Sequence, residues 1–271
     1  MQPKLGIIAG GGTLPRSLVQ HCLDTGRDYC VIALNGHAET AHLEGVKSLH
    51  WSRIGAAGKI IDILKVEEVC ELVMVGSVKR PSLVTAMPDL RGLKFLLRAG
   101  RRTVGGDNSI LSAIAGELEA EGFSVIGIDS LLEGHVTPPG VLTRVIPKDD
   151  VRKLIEVGLE EARNLGAQDI GQAVVIEGKN ILARETKGGT NDLIRRAGRL
   201  ARDKRNLILI KAKKPEQDRR VDLPTIGLET VQLAAEHGFS GIALEAGHSL
   251  LVDKTHAVAA ANAANIFILG V

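Results

Sequence analysis

The sequence predicts an α/β protein in two parts: an N-terminal Rossmann-like domain on a parallel sheet, and a distinct C-terminal α/β domain with a mixed sheet. Three observations carry this. The 271 residues exceed the ~100–200 typical of one domain. Through the first half, short runs rich in Val and Ile alternate with helical periods, as expected of strands covered on both faces. In the second half, Gly178-Lys179-Asn180 between two apolar runs signals a hairpin, hence at least one antiparallel pair.

Taken in order, the pattern predicts a strand over Leu5–Ala9, a helix from Leu14, and strands over Tyr29–Leu34 and Ser48–Trp51. A helix through Ile60–Leu64, a strand over Leu72–Val75, a helix from Ser109 to Glu121 and a strand over Ser124–Ile128 follow. Such alternation builds βαβ units. The stretch around TPPGVLTRVIPKDD has three prolines and no sustained period, so we expect domains at 1–134 and 149–271 with a linker over 135–148. The second domain opens with a helix over Asp149–Leu165, its two leading aspartates suited to the positive end of the helix dipole. Next come the hairpin strands Ala173–Glu177 and Ile181–Arg184, a helix over Asn191–Arg202 and a strand over Leu207–Lys211. A helix over Gly227–His237, strands at Ile242–Leu244 and Leu250–Val252, a helix over Ala257–Ala264 and a final strand, Ile266–Leu269, complete the chain.

Composition excludes several classes of function. Aromatic residues are only 2% and their six rings are scattered, so no base-stacking platform is available and no nucleic-acid partner is expected. The net charge of +2 describes no general polyanion-binding surface. Cys22, Cys30 and Cys70 form no C-x-x-C pair and have no histidine at zinc-ligand spacing, which predicts reduced, buried thiols and no structural metal. The apolar run near Leu5 is too short for a signal peptide and no ~20-residue apolar stretch exists, so a cytoplasmic location is expected.

Four segments carry candidate chemistry. In Leu5-Gly6-Ile7-Ile8-Ala9-Gly10-Gly11-Gly12-Thr13-Leu14-Pro15 a strand runs through three glycines into a helix, which suits backbone N–H groups of Gly11, Gly12, Thr13 and Leu14 to a phosphate; a merely tight turn is the plain alternative. It is not the dinucleotide fingerprint, because Pro15 takes the third glycine position and no acid ends the second strand. Lys79 and Arg80, leaving the fourth strand, are placed to neutralise a diphosphate, against the alternative of a solvated loop. Asp107, in a glycine turn before a helix, is either an N-cap or a metal or ribose ligand. Between Arg184 and Arg220 there are 13 Lys or Arg and 5 Asp or Glu; Lys211 and Lys213 lead on to Asp222, suited to a phosphorylated substrate with a divalent metal or a general base. The alternative for Asp222 is a salt bridge to Arg219 or Arg220. Upstream, Arg91, Lys94, Arg98, Arg101 and Arg102 interleave with apolar residues, either as a solvated helix face or as a surface for an anionic membrane.

Taken together, LGIIAGGGTLP, VKRPSL with MPDLR, GDNSIL, GVLTRVIP, DIGQAVVIEG, IRRAG, KAKKPEQDRRVDLPTIG, GIALEAGHSLLVD and the closing ILGV resemble the LpxI family, the UDP-2,3-diacylglucosamine hydrolases of lipid A synthesis. The resemblance implies Mg2+-dependent hydrolysis of a pyrophosphate, giving UMP and 2,3-diacylglucosamine 1-phosphate (lipid X), with water attacking the sugar-side phosphorus. It places the family's essential carboxylate at Asp222, as a base or as a metal ligand. The family's E-G-T-D loop reads Gly188-Gly189-Thr190-Asn191 here, so two carboxylates are replaced, while Thr190 and Asn191 keep the capacity to hydrogen-bond a phosphate or hydroxyl. It further implies a UDP-diacylated glucosamine as partner, peripheral association with the cytoplasmic face of the inner membrane, and a homodimer. A non-catalytic nucleotide-binding module and a dinucleotide-dependent oxidoreductase are the competing readings.

Overall fold

The computed structural model describes residues 2–78, 87–94, 107–203 and 206–271, and the side chains of 107–109 are not among what it describes. Two compact units emerge: Met1–Leu132 with Asp218–Asp222, and Glu133–Gln217 with Leu223–Val271.

In the first unit, β1 (Leu5–Ala9), β2 (Tyr29–Leu34), β3 (Leu49–Ser52), β4 (Glu71–Val75) and β5 (Ser124–Val125) form one all-parallel sheet in the order β3-β2-β1-β4-β5. The chain moves to opposite sides of β1 in building it. This makes the carboxyl end of β1 a topological switch point, where open α/β sheets hold ligands. Helix α1 (Leu14–Thr25) starts with Pro15 in its first turn, where a missing N–H costs nothing, and buries Pro15, Leu18, Val19 and Cys22 at helical spacing. Helix α2 (Ala57–Val66) lays Ile60, Ile61 and Leu64 on Cys30, Ile32, Leu34 and Leu72, and this core also takes Ala115 and Leu118 of α3 (Asp107–Ala120). A four-residue helix, α4 (Ile128–Leu131), follows β5.

In the second unit, β6 (Gly140–Val141), β7 (Ala173–Glu177), β8 (Asn180–Arg184), β9 (Leu207–Lys211), β11 (Gly241–Leu244) and β13 (Phe267–Gly270) make a six-stranded sheet ordered β6-β13-β11-β9-β7-β8. Its centre is parallel, while β7 runs against β9 and β8, and β6 against β13. Strand alternation serves two cores. Leu207 and Leu209 pack with α6 (Gly189–Leu200), α7 (Leu228–Glu236) and α8 (Lys254–Ala263), whereas Ile208 and Ile210 pack under α5 (Asp149–Ala167). A separate parallel pair joins β10 (Thr225–Ile226) to β12 (Leu250–Leu251).

Three differences from the sequence reading stand out. The stretch expected as a linker contributes β6 to the second unit's sheet, through Val141 opposite Leu269. The segment Asp218–Asp222 belongs with the first unit although its sequence neighbours lie in the second. Not all thiols are buried: Cys22 and Cys30 are, but Cys70, in the turn just before β4, is exposed. Among the described residues, no helix is long and apolar enough to cross a membrane.

Candidate active site

At the carboxyl end of β1 the three glycines divide in purpose. Gly10 N–H goes to Val75 O at 2.8 Å, and Gly11 and Ser77 exchange two backbone bonds of 2.8 and 2.9 Å. The turns after β1 and β4 are thereby locked together. Gly76 sits at φ +93°, where a Cβ would stand 2.6 Å from Gly11 O, so only glycine fits this contact. Gly11 thus offers no N–H to a ligand. Gly12 is different: it is exposed at φ +88° with nothing within 4 Å of where a Cβ would lie. Its N–H meets the Glu39 carboxylate at 3.4 Å, and its carbonyl meets His42 Nδ1 at 3.1 Å. An incoming phosphate would take the place of that carboxylate. Thr13 precedes and Leu14 begins α1, and among the described residues no acceptor is bonded to either N–H, which leaves the positive end of the helix open toward an anion.

The segment carrying Asp222 is fixed to the same unit by four contacts. Arg219 Nη2 pairs with Asp129 Oδ2 of α4 at 2.7 Å, and Arg220 Nη1 pairs with Glu119 Oε1 of α3 at 2.5 Å. Val221 packs against the core beneath α2, and the backbone of Arg219 passes so close to Gly127 that a Cβ there would be 3.1 Å from Arg219 O. Gly127 follows β5, so the segment lies by the carboxyl end of that strand. Asp218 grips Arg220 with both oxygens, Nη2–Oδ2 being 2.7 Å, and with Glu119 holds that guanidinium's pKa above its ordinary value. Asp222 is half-buried, its N–H bonded to Asp218 O at 3.2 Å.

In the second unit, Lys211 ends β9 on the face of Leu207 and Leu209, and is only 6% exposed. Its Nζ donates to Thr190 Oγ1 and to Thr225 O, both at 3.1 Å. Thr190 in turn donates to Glu185 Oε1 at 2.7 Å, and Glu185 Oε2 accepts from Gln172 N at 2.8 Å. Asn191 Nδ2 donates to Glu229 Oε1 at 3.0 Å. Lys213 turns its ammonium onto the carbonyls of Lys214, Pro215 and Gln217, capping its own loop. Glu185, the buried acid of this chain of contacts, carries no mark in the sequence pattern, because it precedes the Gly188–Asn191 loop in which the family's acids lie. Lys79 and Arg80 lie outside the described residues, and for Asp107 only its place as first residue of α3 is described.

A divalent cation at Asp222 would rely on that carboxylate together with substrate and water oxygens. Among the described residues no group of three Asp, Glu, His or Cys side chains converges there. Mg2+ is commonly held by one or two carboxylates, with phosphate oxygens and water completing six positions, and a single half-buried carboxylate suits that sharing.

Comparison with known proteins decides the family. The LpxI N-terminal domain model matches residues 4–135 and the LpxI C-terminal domain model matches residues 138–269. The chain belongs to the LpxI family. It is 40% identical over 278 aligned positions to the UDP-2,3-diacylglucosamine pyrophosphatase LpxI of Caulobacter vibrioides, covering 99% of this chain and 97% of that protein. Among solved structures, the Bordetella bronchiseptica enzyme WbmG in complex with NAD and UDP is 16% identical at a TM-score of 0.29, over 44% of this chain and 34% of that one. The N5-carboxyaminoimidazole ribonucleotide synthetase of Thermotoga maritima is 15% identical at 0.25, over 66% and 40%. Both structural likenesses span well under half of the solved chains and carry no argument.

Proposed function

We propose that this LpxI-family chain is a UDP-2,3-diacylglucosamine pyrophosphatase of lipid A biosynthesis, cleaving its substrate to UMP and 2,3-diacylglucosamine 1-phosphate. The 40% identity to a protein of that name, over nearly the full length of both chains, supports the reaction class. What supports the site is the anchoring of the segment that carries Asp222: its neighbours Arg219 and Arg220 pair with Asp129, Asp218 and Glu119, which ties the segment to the unit built on the parallel sheet.

In this reading Asp222 orients the attacking water, either by taking its proton or by holding the metal that binds it. Mg2+, when bound with substrate, supplies positive charge to the diphosphate oxygens. The N–H groups of Gly12, Thr13 and Leu14 and the cations Lys79 and Arg80 are the first unit's proposed phosphate donors, and Asp107 a further polar contact. Thr190, Asn191, Lys211 and Lys213 are further proposed polar contacts to substrate, with Glu185 setting the position of Thr190. Gly11 is left out because its N–H is spent on Ser77. With so few aromatic rings, uridine is held by backbone hydrogen bonds and aliphatic contacts. A cytoplasmic enzyme resting on the inner membrane, as a homodimer, completes the proposal.

The test is a pair of variants. Asp222→Ala retains the native circular dichroism spectrum and loses turnover by roughly a hundredfold or more. Asp222→Asn separates the roles: a ligand role lets raised Mg2+ restore part of the rate, while a base role leaves it flat. Full activity in Asp222→Ala removes the residue from the mechanism.

A further inference from the structure

A second cluster lies at the opposite, amino-terminal edge of the parallel sheet. The β2–β3 register sets Val31 beside Leu49 and Ile32 beside His50, which places Cys30 next to Ser48 and puts His50 on the same face of the sheet. That face is covered by α2, whose end delivers Glu67. The result is three ligand atoms of different chemistry, Cys30 Sγ, His50 Nε2 and a Glu67 oxygen, all within 4.8 Å of one another. Two further observations point to a ligand there. Ser48 Oγ is buried beside the Cys30 thiol and the Glu67 carboxylate, where it favours the anionic form of each although it makes no hydrogen bond of standard geometry. His50 and Glu67 also line a groove of about 620 Å3, walled by Ile63, Val66 and Leu90, that gives the cluster a route to solvent.

We propose that Cys30, His50 and Glu67 form a zinc(II) site, with the fourth position opening on the groove and Ser48 beside it. A thiolate, an imidazole and a carboxylate together suit zinc and exclude magnesium, which prefers oxygen donors throughout. Zinc ligands at ~2.0–2.3 Å from the metal stand roughly 3.3–3.6 Å apart, so the 2.7 Å contact between His50 Nε2 and Glu67 Oε1 must open slightly to admit the ion. Lys4 does not block this. Its Nζ holds Glu67 Oε2 at 2.7 Å, leaving Oε1 for the metal, and such a donor on the outer carboxylate oxygen orients a one-oxygen ligand. Binding displaces the Cys30 thiol proton to solvent and requires the Nδ1–H tautomer of His50. Zn2+, one thiolate and one carboxylate sum to zero charge, and Lys4 lies beside this neutral set through its pair with Glu67.

Titration of the purified full-length chain with Co2+ tests the proposal. One equivalent is expected to produce a thiolate-to-cobalt charge-transfer band with the visible bands of a four-coordinate ion, both abolished by added Zn2+ but not by Mg2+. Cys30→Ser loses the charge-transfer band, and Cys70→Ser, altering the exposed thiol, keeps it. Because Cys30 is fully buried, the rim variant Glu67→Gln serves as a second arm: it retains the thiol and weakens Co2+ roughly tenfold or more in competition with a chelating dye. Absence of the band in the wild type, its loss in Cys70→Ser, or unchanged affinity in Glu67→Gln overturns the site.

Discussion

Lys211 and Glu185, both 6% exposed, are joined through one hydroxyl: Thr190 Oγ1 accepts from Lys211 Nζ at 3.1 Å and donates to Glu185 Oε1 at 2.7 Å. Removing that hydroxyl leaves a buried cation and a buried acid each short of a partner, the costly kind of loss. Thr190→Val is therefore expected to destabilise the protein by ~1–3 kcal/mol in chemical denaturation, and Thr190→Ser by much less. Equal stability of Thr190→Val and wild type contradicts the arrangement.

The glycine turn yields a contrast between neighbours. Gly76→Ala meets both a left-handed backbone and Gly11 O at 2.6 Å, whereas Gly12→Ala meets only the backbone preference. We expect ~3 kcal/mol or more for the first and ~1–2 kcal/mol for the second. A thermal melt in which the two variants behave alike refutes the locking of the two turns.

Much of the fold was legible because apolar runs such as Leu5–Ala9, Tyr29–Leu34, Ala173–Glu177 and Leu207–Lys211 are each bounded by turn residues, and each is found as a strand over the same residues. The two-residue strands β6 and β10 were not, since pairing of Val141 with Leu269 or Thr225 with Leu250 depends on partners far along the chain and leaves no local period. The site divides in the same way. Thr190 and Lys211 are brought together as sequence chemistry suggested, whereas Glu185 and the cluster of Cys30, His50 and Glu67 are created by register and packing rather than by linear spacing. The buried-thiol expectation failed at Cys70 because it sits in the turn before β4 rather than within an apolar run.

That exposure is measurable. Burial pushes the Cys22 and Cys30 thiols above their ordinary range, while Cys70 is open to solvent. A disulfide reagent acting on the native, metal-free protein is expected to titrate one thiol quickly, and Cys70→Ser to abolish that phase. Three equally fast thiols contradict the packing of β2 and α1.

His135 sets a pH dependence. Burial lowers its pKa below 6.5, with Asp253 opposing, so the unfolded chain takes up the proton first. The histidine's contribution to stability is thus full above about 6.5 and is lost as pH falls through the lowered folded value. Relative to His135→Gln, the wild type should lose stability on acidification across that window; parallel pH profiles of the two proteins rule out the assignment.

The proposed reaction is tested most directly by a phosphorus-31 NMR time course of the purified chain with UDP-2,3-diacylglucosamine and Mg2+, run beside Asp222→Ala. The account predicts that the paired diphosphate signals vanish as two monoester signals grow in equal amounts in the wild type alone. A diphosphate spectrum that stays unchanged in the wild type contradicts it.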